Sequence, residues 1–72
     1  MRSIYITCAD KKEASKIAKV LLENKLIVCA NMFPVESMYW WKGKIENSKE
    51  YVIIAKTQRN KLSKIETLVK SN

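Results

Sequence analysis

Cys8 and Cys29 have the strongest claim to chemistry in this sequence, because a thiolate can bind a soft metal ion or act as a nucleophile. They stand 21 residues apart, form no C-x-x-C pair, and have no histidine anywhere in the 72 residues to complete a zinc or copper set. Taken alone, both read as small buried hydrophobes. Two cysteines also make a poor disulfide framework. The acids Asp10, Glu13, Glu36, Glu46 and Glu50 read as a helix cap, a helix turn and exposed strand positions. No Gly-rich loop could cradle a phosphate, and no serine or cysteine sits in a nucleophile motif. These patterns argue against an enzyme.

The other concentration of functional side chains is SMYWWKGKIENSKEYVIIAKT, residues 37–57, which holds both tryptophans, two of the three tyrosines and the only glycine. Fourteen Lys and Arg against seven Asp and Glu give a net charge of +7, a polyanion-attracting balance. The lysines are spread from Lys11 to Lys70 with no dense basic block, so nucleic acid is an unlikely partner on charge alone. No apolar run approaches the roughly eighteen residues of a membrane span. No signal peptide is visible either, and together these lead to the expectation of a soluble, cytoplasmic protein.

The elements that must position these residues follow from periodicity. Residues 3–8, SIYITC, alternate as a strand does, with Ile4, Ile6 and Cys8 on one face. Asp10 and Glu13 form a capping box at the start of a helix running to about Asn24, with an apolar stripe of Ala14, Ile17, Ala18, Leu21 and Leu22. LIVCANMF, residues 26–33, is almost continuously apolar and reads as a strand buried on both faces, ending at Pro34. Residues 35–42 are extended up to Gly43. A polar turn around Asn47-Ser48 is expected before the strand YVIIAKT, so that residues 35–42 and 44–57 fold back as a hairpin. Leu62, Ile65, Leu68 and Val69 mark a second amphipathic helix over about 59–71, capped by Asn60 or Thr57. The order β-α-β-β-α is an α+β, ferredoxin-like plan one strand short, which leaves the first strand with a free edge that invites another chain.

Thr7 to Asp10 (T-x-x-D), Leu26 to Asn31 (L-x-x-C-x-N), Ser37 to Gly43 (S-x-Y-x-W-x-G), Glu50 and Lys56-Thr57 together resemble the CutA family of divalent-cation tolerance proteins, over essentially the whole chain. The resemblance implies a single ferredoxin-like domain over 1–72 that assembles into a trimer similar to the PII signalling proteins. It further implies that Ser37, Tyr39, Trp40, Trp41 and Gly43 build a hairpin arm for subunit contact. Glu50, Lys56 and Thr57 would line an intersubunit cleft open to a metal ion or small ligand. Of the metal ligands proposed in that family only Cys29 carries over, for copper or another divalent metal. Family members continue with an H-[PS]-Y-[ED]-x-P motif and a fourth strand that these 72 residues lack, and Ala9 stands where the family has proline.

The function implied is a non-enzymatic, homo-oligomeric role in tolerance of, or response to, divalent metal ions such as copper. Two other readings remain. One is a basic RNA-binding module of the same fold with Tyr5, Tyr51 and the tryptophans as stacking residues, although KGKIEN lacks the aromatic RNA-recognition signature. The other is a PII-like module that senses a small ligand, since one fold hosts many functions.

Overall fold

The computed structural model of the chain describes residues 1–71. The alternation of residues 3–8 becomes strand β1 (Arg2–Cys8), with Ile4 and Ile6 half-buried against the core and Cys8 fully buried. Helix α1 (Lys11–Glu23) starts as its sequence predicts: the Glu13 amide donates to Asp10 Oδ1 at 2.8 Å, and Glu13 Oε1 accepts from the Ala9 amide at 3.2 Å. Its far end closes with Lys25 in the left-handed region (φ 56), the Lys25 amide on Leu22 O and the Leu26 amide on Leu21 O. That is a Schellman closure made without glycine.

Two long strands follow, β2 (Cys29–Trp41) and β3 (Lys44–Thr57), paired antiparallel from Cys29↔Lys56 to Trp41↔Lys44. The chain reverses at Lys42 and Gly43, both at positive φ (50 and 78), as a two-residue hairpin requires. The turn expected at Asn47-Ser48 does not exist. Asn47 pairs with Met38 and Ser48 with Ser37 in an unbroken ladder, because the Lys42-Gly43 reversal fixes the register of everything behind it.

A 3₁₀ turn (Arg59–Lys61) leads into helix α2 (Leu62–Ser71), the shortened form of the helix expected from residue 59. Neither Asn60 nor Thr57 caps it. Gln58 stands at the cap position without a side-chain bond, and the Thr57 hydroxyl is committed elsewhere.

The sheet order is β1-β3-β2, with α1 and α2 on one face, which is the expected ferredoxin-like β-α-β-β-α arrangement. The core lies between that face and the helices: Ile53 and Ala55 from β3, Cys8 from β1, Ala14, Ile17, Ala18 and Leu21 from α1, and Ile65 from α2. Leu26 and Ile27 belong to it too, but they sit in the connection before β2 rather than in a strand. LIVCANMF is therefore not a strand covered on both sides. Its second half is an edge strand on which Met32 and Phe33 are exposed. The molecule is 41 Å long and 22 Å across, since the β2–β3 ribbon runs well past the end of β1.

Candidate functional site

The far end of the ribbon, from Met38↔Asn47 to Trp41↔Lys44, is an arm with solvent on both faces. Consecutive strand residues face opposite ways, so each face receives its own aromatics. Tyr39 and Trp41 lie on the open face of the sheet beside Glu46 and Lys44. Met38 and Trp40 lie on the helix-bearing face, with Ile45 opposite Trp40. Neither tryptophan covers the chain's own core: Trp40 is 72% exposed, Trp41 58% and Met38 71%. The Lys42 ammonium stands 5.8 Å from the Trp41 ring centroid, a contact worth about 0.5–1 kcal/mol where exposed.

Further down the ribbon, the Ser37 hydroxyl donates to Glu50 Oε1 on the open face. The direct cross-strand partner of Glu50 is Val35, and its carboxylate accepts diagonally from Ser37. The Ser37–Glu50 bond therefore links the base of the arm to β3. Lys56 is exposed on the same face, in a row with Ser3 and Cys29.

Thr57 points the other way. It is 1% exposed, and its hydroxyl donates to the carbonyl oxygen of Leu26. The Val28 amide donates to Lys56 O at 2.8 Å beside it. Thr57 thus fastens the α1–β2 connection to the end of β3 and has no surface left for a cleft. Lys56 and Thr57, adjacent in the motif, do separate work because a strand splits them.

The two cysteines differ. Cys8 is buried as expected, and burial, with the Glu13 and Asp10 carboxylates adding to it, pushes its thiol above the ordinary range. Cys29 is half-buried on the open face, not a core residue. It sits at the opposite end of a 13-residue strand from Trp41, on the order of 40 Å away. Among the described residues, no group of three His, Cys, Asp or Glu side chains could hold a metal ion. The donor set around Cys29 in one chain therefore does not fit a copper or zinc site, which needs three or four ligands.

One surface escaped sequence reading. A groove of about 560 Å³ runs between β1 and α2, lined by Ile4, Ile6, Leu62, Ile65 and Val69. Its signals were the apolar stripe of the second helix and the alternation of the first strand, which meet only once the chain is folded.

The profile of the CutA1 divalent ion tolerance protein family matches residues 2–72. The divalent-cation tolerance protein CutA of Archaeoglobus fulgidus is 47% identical over 68 residues, covering 94% of this chain and 67% of that protein. The protein of the same description from Thermococcus kodakarensis is 46% identical over 67 residues, covering 93% and 64%. The solved Archaeoglobus structure superposes with a TM-score of 0.88 at 46% identity, over 96% of this chain and 68% of that one. The chain thus spans about two thirds of the length of these relatives. The solved protein is described as periplasmic, which overturns the expectation of a cytoplasmic location. No helix among the described residues is long and apolar enough to cross a membrane. That observation bears on spanning helices and does not assign a compartment. With the profile matched from residue 2 to residue 72 and the fold shared with solved members, the chain belongs to the CutA1 divalent ion tolerance protein family.

Proposed function

We propose that this chain acts as a non-enzymatic, self-assembling component of divalent-cation tolerance, a homotrimer in which the arm joins the subunits. The observation that carries the reading is the arm itself. Met38, Tyr39, Trp40, Trp41 and Ile45 are exposed on two faces of a ribbon that their own fold does not cover. Large aromatics grouped this way give interface energy at low side-chain entropy cost. Central strand β3 supports it, since YVIIA is apolar on both faces while helices cover only one.

The relatives' names supply the role in divalent-cation tolerance. In this reading Ser37, Glu50 and Lys56 on the open face border an intersubunit cleft for a metal ion or small ligand, and Thr57 supports it from behind. Copper binding through Cys29 would require donors from several subunits. Of the rivals, RNA binding draws least on the fold, because central strand β3 presents Val52 and Ile54 to the open face where stacking rings should lie. Light scattering across micromolar concentrations tests the proposal. A mass of three chains is expected, and a well-folded monomer at every concentration refutes it.

A further inference from the structure

Helix α1 carries its lysines against the local rules that stabilise a helix. Lys11 and Lys12 open it, where the positive end of the helix dipole repels cations, and Glu23 closes it at the negative end. Lys12 and Lys16 stand four residues apart and Lys16 and Lys19 three, so like charges meet where a Glu–Lys pair would add support. These three lysines are exposed, on the side of the helix opposite the buried Ala14, Ile17, Ala18 and Leu21. Carboxylates do not offset them. Those of Asp10 and Glu13 accept from the amides of Glu13 and Ala9, and the one ion pair among the described residues joins Glu66 to Lys70 on α2. The stripe continues past the helix with Lys25, exposed in the left-handed region. Two aliphatic side chains stand beside it in sequence, Leu22 at 42% and Val28 at 63% exposure. All of this lies away from the free edge of β1, because α1 packs chiefly over β2 and β3.

We infer that the outer face of α1, from Lys12 to Lys25, docks on an anionic phospholipid surface, with Leu22 and Val28 entering the headgroup layer at one end. Local rules broken without a structural gain are expected where they serve function, and a polyanion supplies the gain by neutralising the stripe. Three features select lipid among polyanions. The charges of the stripe are all lysines, compact point charges without the planar fork by which arginine holds individual phosphates, and this suits a fluid layer of headgroups. Helix α1 has no aromatic residue on which a base could stack. The exposed neighbours are aliphatic, so apolar burial adds to electrostatic attraction as it does for peripheral helices. The contact is peripheral, since no helix among the described residues is long and apolar enough to cross a membrane. It goes beyond the proposed assembly and does not depend on the arm. A single copy presents the whole surface, and a cyclic ring would hold each copy of it at one height along the axis.

Sedimentation of the full chain with vesicles of phosphatidylcholine containing one third phosphatidylserine, against phosphatidylcholine alone, tests this. Binding is expected to the anionic vesicles only, and to fall steeply with added salt. Each lysine near such a surface contributes about fivefold, so Lys12→Gln, Lys16→Gln and Lys19→Gln combined should weaken binding about a hundredfold. That variant should melt no lower than the parent, because the repulsion along α1 is relieved, which separates lost docking from lost folding. Arg2→Gln, Lys44→Gln and Lys70→Gln combined remove as much charge elsewhere and should weaken binding by less than about fivefold. Val28→Ser should weaken it about fivefold. Equal losses in the two triple variants, no effect of Val28→Ser, or capture of a DNA oligonucleotide without binding to anionic vesicles would each overturn the inference. The mass found by light scattering bears on the arm alone, so the two proposals fail separately.

Discussion

Replacing Thr57 with valine keeps the shape of a side chain that is 1% exposed and deletes its hydroxyl. The hydroxyl donates to the carbonyl of Leu26, itself a buried residue. The net worth of such a bond is about 0.5–1.5 kcal/mol, and a buried carbonyl left without its donor adds about 1–3 kcal/mol when no water reaches it. Because the pair closes the α1–β2 connection at the end of the core, we place the loss at about 2 kcal/mol. For a domain of this size, each kcal/mol moves the midpoint by roughly 4–8 °C, so Tm should fall by about 8–16 °C. Thermal unfolding followed by circular dichroism reads this directly, with protein concentration held fixed because assembly contributes to apparent stability. Thr57→Ser retains the donor and should lose only about 1 kcal/mol for the missing methyl group. If Thr57→Val left Tm within about 3 °C of the parent but changed the assembled mass, the assignment of Thr57 to internal fastening would be wrong and a cleft role would return.

Two further outcomes follow from the same geometry. At Gly43, φ of +78 strains any L side chain although a Cβ there meets nothing within 4 Å, so Gly43→Ala should cost about 1–2 kcal/mol by conformation alone, read from denaturant midpoints. Cys8 has its thiol pKa raised in the fold, so the native state holds its proton where the unfolded chain releases it. Stability should therefore be flat below the ordinary thiol value of 9.0 and decline as pH rises above it, and Cys8→Ala should remove that part of the decline in urea titrations.

The sequence announces α1 and β1 clearly because their signals are local: an N-cap with its glutamate three residues on, and alternation over six positions. It misleads in the middle for reasons that are not local. Asn47 and Ser48 carry turn chemistry, yet they are strand residues because thirteen cross-strand partners are aligned by the reversal at Lys42 and Gly43. LIVCANMF looks uniformly buried because two environments abut in it, a connection tucked under α1 and an edge strand facing solvent. Among the candidate site residues, the tryptophans could be assigned to a surface only in part. Strand alternation requires one of two adjacent rings to leave the core face, and the length of the ribbon beyond β1 takes both away from it. Thr57 and Lys56 could not be separated by a motif that names them together, because only the pleat of β3 shows that one is buried and the other exposed.

Metal binding is where the single chain and the proposed assembly differ most sharply. Each chain contributes one accessible thiol, from Cys29, and the described residues bring no cluster of His, Cys, Asp or Glu ligands to it. Cys8 is buried in the core, and burial with the neighbouring Glu13 and Asp10 carboxylates disfavours its thiolate, so it is the poorer ligand of the two. A tight copper or zinc site must then collect Cys29 from several copies, and a symmetric ring does so only where those sulfurs approach the axis. The stoichiometry distinguishes the cases: calorimetric titration of reduced protein with Cu(I) should saturate at one ion per three chains and lose that step in Cys29→Ser. Saturation at one ion per chain, or a step that survives Cys29→Ser, would show that the ligands lie elsewhere. It would also show that Cys29, half-buried on the open face, is no more than a residue of the edge strand.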